Sequence, residues 1–166
     1  MLAKLRLLDA LVAQIERILV RVICLALTLI LMAQVVLRYG FSRPIFWAEE
    51  ISVKLLVFMT LFGVGLLIHK QQLIAIDIVS SRIRGRAKAC LELLLCAVAT
   101  VVVGAVAMEA TQWVLRPEVQ VELSPTTQLP IWYSYAMLPT AFYFMLVHQV
   151  TALVTITKRA VLGGDA

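Results

Sequence analysis

The sequence predicts an all-α integral membrane protein with four transmembrane helices, folded as one membrane domain over residues 1–166. Composition is the first reason, because 62% of the 166 residues are hydrophobic and only 15% are charged. Soluble domains are about 45–50% apolar and about 25% charged. A globule of this size buries only about two-thirds of its surface, so the apolar excess requires lipid. The second reason is that charged residues divide the chain into four long uncharged stretches.

Four spans are expected, at residues 18–40, 47–69, 89–114 and 131–157. Each reaches the ~20 residues that a helix needs to cross ~30 Å of hydrocarbon. Helices are required because lipid offers no hydrogen-bond partners to an open backbone. A cleaved signal peptide fits the first span less well, because Asp9 and Glu16 precede an apolar run longer than the usual core of roughly 7–15 residues.

The distribution of basic residues orients the spans. The loop after the second span carries one acid, Asp77, and five basic residues, namely Lys70, Arg82, Arg84, Arg86 and Lys88. The N-terminal segment and the C-terminal tail are also basic, whereas the loops around 40–47 and 115–130 carry fewer basic residues. The positive-inside rule therefore predicts cytoplasmic termini and a cytoplasmic middle loop. The net charge of +5 is explained by this orientation and does not indicate nucleic-acid binding.

Two segments outside the spans have apolar residues at steps of three and four. In residues 1–17 these include Leu2, Leu5 and Leu8, and in residues 70–86 they include Leu73 and Ile76. Such stripes are typical of amphipathic helices that lie flat in the membrane interface, although an ordinary loop is the alternative. The loop 115–130 contains three prolines and no helical stripe, so we expect it to be extended and exposed.

No residue pattern indicates an enzyme or a metal cofactor. The sequence lacks a Ser-His-Asp grouping, paired catalytic carboxylates, zinc-ligand spacing and a phosphate loop. Its three cysteines, Cys24, Cys90 and Cys96, form no CxxC motif and are expected to be small buried hydrophobes.

A haem-binding electron-transfer subunit is one alternative, because imidazoles can ligate haem iron. His69 and His148 are the candidate ligands. At a rise of ~1.5 Å per residue, His69 lies ~33 Å from Trp47 and His148 lies ~26 Å from Ile131. This difference in depth disfavours a shared haem. We therefore expect His69 to be interfacial and His148 to be packed or hydrogen bonded.

A stand-alone four-helix transporter is a second alternative. Such a protein needs a coupling group inside the membrane, and the centres of all four predicted spans lack charged residues. Small residues are present instead, with Gly63 and Gly65 in the second span. Cys96, Thr100 and Gly104 are spaced by four residues in the third. Small faces let helices approach closely, within one chain or with a partner.

The start of the second span combines an interfacial aromatic residue with charges. Trp47 is a natural membrane-interface anchor, and Glu49 and Glu50 suit the positive end of the helix dipole. Glu50 and Lys54 have the favourable (i, i+4) order for a helical ion pair. The alternative is that this cluster contacts a second membrane protein.

An ion pair between Lys54 and Glu109 is also predicted across the second and third spans. The two residues lie ~10 Å and ~9 Å from the same end of the bundle by helix rise, and a charge at that depth should face a partner rather than lipid. Arg38 is the competing partner for Glu109, and Glu50 is the competing partner for Lys54.

The stretch from Arg38 onward carries a more specific pattern. It reads R-Y-G-F, then P-I-F-W-A-E-E-I, F-G-V-G and L-I-A-I-D. This order resembles the small membrane subunit of tripartite ATP-independent periplasmic (TRAP) transporters. The positions that match the family pattern are Arg38, Trp47, Glu50, Gly63 and Asp77, and Leu73 replaces the usual histidine.

The resemblance implies a role beside a much larger membrane subunit that holds the substrate and sodium sites. A periplasmic receptor would deliver a carboxylate-type substrate, and this chain would widen the static scaffold in a bacterial inner membrane. No cofactor is implied. The candidates for contact with the partner are Arg38, Trp47, Glu49, Glu50, Lys54, Gly63, Gly65 and Asp77. The candidates for receptor docking are the charges of the outward loops, Arg43, Arg116, Glu118 and Glu122.

Overall fold

The structure is a computed structural model that describes residues 2–70 and 86–162. Within these ranges the chain is helical and contains no strand, apart from an isolated β-bridge between Leu123 and Pro130. The helices are α1 (Leu2–Gly40), α2 (Ala48–His69), α3 (Arg86–Val114), α4 (Pro117–Val121), α5 (Trp132–Tyr135) and α6 (Met137–Leu162). The all-α class is thereby confirmed.

Four helical segments are long and apolar enough to cross a membrane, as predicted. They are Ala3–Gly40, Ala48–His69, Cys90–Val114 and Trp132–Lys158. The last three agree with the expected spans to within a few residues. The first is much longer than the expected 18–40, because the helix begins near the N-terminus. Asp77 and most of the predicted interfacial segment 70–86 lie outside the described residues.

The expected interfacial helix at 1–17 does not form a separate element among the described residues. Residues 2–17 are helical but continuous with the first span, since no proline or glycine interrupts the sequence before Gly40. This part of α1 buries an acid and exposes large apolar side chains. Ala13 and Glu16 are buried in the bundle, whereas Leu8 and Ile15 are 55% and 48% exposed. Lys4, Arg6 and Arg17 are exposed as well, so the outward face of this part carries both apolar and charged side chains.

The bundle consists of two helical hairpins packed side by side. Helix α1 packs on α2, α3 packs on α6, and α2 and α6 join the two pairs. The centre is apolar, with Ile23, Phe62 and Ala141 buried together. The Phe62 and Phe144 rings lie 6.1 Å apart across the α2–α6 contact. This core leaves α2 and α6 in the middle and α1 and α3 at the sides.

The small face of α3 packs within the chain. The Cys96 Sγ lies 3.7 Å from Gln149 Oε1, and a Cβ at Gly104 would be 3.6 Å from Leu146. Cys96 is buried as expected. Cys24 and Cys90 are exposed, which corrects the expectation that all three are buried. Thiols tolerate lipid as small apolar groups, so exposure on a membrane helix carries little cost.

The loop 115–130 has more structure than its prolines suggested. Pro117 occupies the first turn of α4, where its missing N–H would have no partner in any case. The chain then reverses, and the Ile131 N–H donates to Glu122 O at 3.0 Å while Ser124 N–H donates to Leu129 O at 2.9 Å. The prolines therefore shape a short helix and a compact turn rather than an extended loop.

Candidate functional site

Hydrogen bonds to one carboxylate hold the turn 122–131 against the start of α2. Glu50 lies in the first turn of α2 and accepts hydrogen bonds from Lys54 Nζ, Ser124 Oγ and Thr126 Oγ1. The Thr126 N–H adds a longer bond of 3.4 Å. We call these four residues the Glu50 network. They connect the start of α2 to the turn 122–131 within this chain.

The Glu50 network decides between the alternatives for Lys54. Lys54 forms its ion pair with Glu50, as the helical spacing predicted. No ion pair joins Lys54 to Glu109 among the described residues, so the predicted contact between α2 and α3 is corrected. The reason is the arrangement of the helices: α2 packs on α1 and α6, and α3 packs mainly on α6. Glu109 is exposed and lines a surface cavity with Trp113 and Arg116.

The other partner-interface candidates divide by exposure. Arg38 and Glu49 approach to 3.8 Å but are 56% and 74% exposed, so the pair contributes little stability. Trp47 precedes α2 and is also exposed.

A Cβ added to Gly63 would have no neighbour within 4 Å, whereas one added to Gly65 would meet Glu16. Gly65 therefore serves packing within the chain, and Gly63 lies on an open surface.

The four receptor-docking candidates lie at the same end of the bundle as the Glu50 network. Arg43 is in the turn between α1 and α2, and the other three flank or belong to α4. All are exposed: Arg43, Arg116, Glu118 and Glu122. Large apolar side chains accompany them, with Phe46 81% exposed and Val121 77% exposed. This end thus presents charged and apolar groups together.

At the other end of the bundle, two acids and two histidines come together from three helices. We call Asp9, Glu16, His69 and His148 the His-Asp cluster. The Asp9 carboxylate places Oδ1 2.6 Å from His148 Nδ1 and Oδ2 2.9 Å from His69 Nδ1. The second ring nitrogen of His148, Nε2, lies 3.0 Å from Glu16 Oε2. The imidazole rings are themselves in contact, with centroids 5.1 Å apart.

The cluster is largely buried, with His69 its most exposed member at 26%. The side chains of Glu16 and His148 are fully buried, and that of Asp9 is 13% exposed. Glu16 lies 24 residues before the end of α1, or about 36 Å by helix rise, which is roughly the thickness of the hydrocarbon core. The cluster is therefore near the membrane boundary opposite the Glu50 network. An ionisable group at such a site indicates a function or a specific partner.

This cluster brings together residues that the sequence reasoning kept apart. The depth estimate from the sequence placed Trp47 and Ile131 at the same level. The two histidines meet because the last span begins deeper in the bundle than the start of α2. Ser134 and Tyr135 line a cavity beside Lys54 and Phe58, about one and a half turns below the start of α2. This offset compensates for the expected difference in depth, so His148 reaches the level of His69.

The haem alternative is not supported by this geometry. Axial ligation requires a porphyrin between two imidazoles, but here the rings touch each other and the Asp9 carboxylate contacts both Nδ1 atoms.

Asp9 and Glu16 were missed as site residues, although a signal was present. They are seven residues apart, so they lie on one face of a helix, and Ala13 on the same face is also buried. The pattern was overlooked because both acids were treated as charges that precede the first span.

Comparison with known proteins identifies the family. The comparison with curated proteins finds no match. A family model described as "Tripartite ATP-independent periplasmic transporters, DctQ component" matches residues 27–159. The match covers all of the last three spans and more than half of the chain, and it describes a transporter component rather than an enzyme. The chain therefore belongs to the DctQ component family, the small membrane subunits of TRAP transporters.

Proposed function

We propose that this subunit is a scaffold for a large membrane subunit that carries out the transport. The observation that carries this proposal is the apolar centre of the bundle. Ile23, Phe62 and Ala141 fill it, with Phe58 and Phe144 packed around them. Secondary transporters hold substrate and coupling ion near the membrane midplane. A centre of this composition supports a transport path in another subunit.

The outer surface of the bundle suits a membrane scaffold. On α1 the exposed apolar residues include Val22, Leu25, Leu29 and Met32, and on α3 Val101 is 71% exposed. Apolar faces of this extent are typical of contact with lipid or another protein. The open surface at Gly63 supports close approach of a partner helix. We assign the large membrane subunit to the α2 surface that contains Gly63, with Arg38, Trp47 and Glu49 at its edge.

The rest of the proposal follows the family. The subunit would act in sodium-coupled uptake of a carboxylate-type substrate at a bacterial inner membrane, with both termini cytoplasmic. The end that carries the Glu50 network would then face the periplasm, where a receptor delivers substrate. The exposed charges Arg43, Arg116, Glu118 and Glu122 support docking at that end, since complementary charges speed encounter.

Reconstitution tests this function. The chain alone, the large subunit alone and the two together are inserted into vesicles, and uptake of the receptor-bound substrate is followed under an inward sodium gradient. We expect uptake only when both membrane subunits and the receptor are present. Uptake by this chain alone would identify a stand-alone transporter, and full uptake without this chain would exclude a required scaffold.

A Gly63→Leu variant tests the assigned surface in the same assay. Because the site is open, the variant should fold normally but assemble poorly with the large subunit. Val101→Phe on α3 is the matched control, as it adds similar bulk to an exposed position away from α2.

A further inference from the structure

The His-Asp cluster has the ligand set and the outer partner of a metal site. Asp9, His69 and His148 each offer one ligand atom, and these atoms lie within 4.8 Å of one another. They come from α1, α2 and α6, which the apolar core already fixes relative to each other. Two imidazole nitrogens and one carboxylate oxygen are ligands that Zn²⁺ accepts.

The fourth member of the cluster occupies the position of an outer-shell carboxylate. Histidines that bind metals through one ring nitrogen usually donate the other N–H to a carboxylate, which fixes the ring. His148 has this arrangement, because its Nε2 faces Glu16 Oε2 at 3.0 Å while its Nδ1 faces Asp9. Glu16 is fully buried, and within the described part of the chain its second oxygen, Oε1, has no hydrogen-bond partner. Among the residues that the structure describes, the hydrogen bond of this carboxylate is the one with His148.

Two buried polar atoms of the cluster, Glu16 Oε1 and His69 Nδ1, have no hydrogen-bond partner among the described residues. His69 Nδ1 is buried and 2.9 Å from Asp9 Oδ2, but the direction of approach does not make a hydrogen bond. A ring nitrogen and a carboxylate that converge in this way can share a metal ion. In a tetrahedral zinc site with bonds of about 2.0–2.1 Å, ligand atoms are about 3.3 Å apart. The two Asp9–imidazole contacts, at 2.9 and 2.6 Å, would have to lengthen by less than about 1 Å to reach that spacing. The widest separation between ligand atoms, which is within 4.8 Å, would have to shorten toward it.

A cavity provides the remaining coordination position. It has a volume of about 330 Å³ and opens onto all three ligand residues. Thr151 and Thr155 also line it, as does Arg6, which is exposed and adds one positive charge against the two carboxylates. A site with three protein ligands and one open position holds water or another small ligand in the fourth place.

We propose that Asp9, His69 and His148 bind a divalent cation of the Zn²⁺ class, with Glu16 orienting His148, and that the ion clamps α1, α2 and α6 together. This site is independent of the proposed scaffold function, and either proposal can fail alone. The competing explanation is a metal-free network in which protons supply the positive charge between the carboxylates.

Metal binding is tested on the full chain, purified with a tag that contains no histidine and stripped with a chelator. Zn²⁺ alone is titrated against a fluorescent chelator in detergent. We expect one Zn²⁺ per chain, a higher thermal midpoint with the metal, and loss of more than about 100-fold in affinity for His69→Ala. Glu16→Gln should weaken binding by about 10–100-fold. The exposed Glu109→Gln variant should bind like the wild type.

X-ray absorption of the zinc-loaded wild type gives a readout that does not depend on variants folding. The sequence has only two histidines, so two imidazoles in the zinc shell must be His69 and His148. Sulfur in the shell would assign the metal to cysteine and overturn the proposal. So would the absence of stoichiometric binding, or binding that survives His69→Ala unchanged.

Discussion

The Glu16 carboxylate of α1 lies directly against Gly65 of α2. Its Cδ is 3.0 Å from the position that a Cβ at residue 65 would take, and Oε1 is closer still. The carboxylate cannot move away freely, because Glu16 is fully buried and its other oxygen lies 3.0 Å from His148 Nε2. The missing side chain at Gly65 thus makes room for a buried acid, and the acid connects α1 to α6.

This relationship predicts opposite outcomes for two glycines of α2. Gly65→Ala should lower the free energy of unfolding by about 1–3 kcal/mol, the usual cost of overpacking. Gly63→Ala should leave it unchanged or raise it by up to about 1 kcal/mol, because the site is open and alanine favours helix. Unfolding followed by tryptophan fluorescence in detergent measures both.

A double variant identifies the cause. In a Glu16→Ala background the overlap is removed, so Gly65→Ala should then cost little and the two changes should be strongly non-additive. Additive losses would show that Gly65→Ala acts through something other than the Glu16 contact.

The Glu50 network predicts which carboxylate holds the turn 122–131. Glu50→Gln removes the charge that Lys54, Ser124 and Thr126 donate to, so the turn should be cleaved several-fold faster by a broad-specificity protease. Glu49→Gln is the matched control, because Glu49 is 74% exposed and makes only a 3.8 Å contact with Arg38. Equal cleavage rates for the two variants would contradict the assigned role of Glu50.

The sequence predicted the fold well because lipid imposes a simple rule. Long uncharged runs must be helical in a membrane, and the four spans followed from the positions of charged residues. The Glu50–Lys54 pair also followed, since it depends only on helix spacing. Such local features need no knowledge of which helices are neighbours.

What the sequence reasoning did not predict depends on contacts between helices. The Lys54–Glu109 pair was inferred from equal depth, but depth does not fix neighbours, and α6 lies beside both α2 and α3. The partners of His148 are 132 and 139 residues away in the chain. The Asp9 and Glu16 side chains point inward, where they contact histidines of α2 and α6.

The corrected partner of Lys54 gives a third prediction. Glu109→Gln should leave the thermal midpoint within about 2 °C of wild type, as exposed substitutions usually do. Lys54→Met should loosen the turn 122–131 in the protease assay, because it removes a donor to Glu50. If the two single variants instead lose stability and their double variant loses no more, the Lys54–Glu109 pair exists after all.

The last prediction concerns the exposed charges at the end that carries the Glu50 network. Reversing the two acids near α4 with Glu118→Lys and Glu122→Lys should raise the receptor concentration needed for half-maximal uptake, because complementary charges steer encounter. The effect should shrink with added salt, since salt screens interactions between exposed charges that lie farther apart than about 8–10 Å at 0.1–0.15 M ionic strength. Lys158→Glu, an exposed reversal at the opposite end of the bundle, is the matched control. Uptake unchanged at every receptor concentration and low salt would mean that the acids are only solvated, and that docking depends on the large subunit.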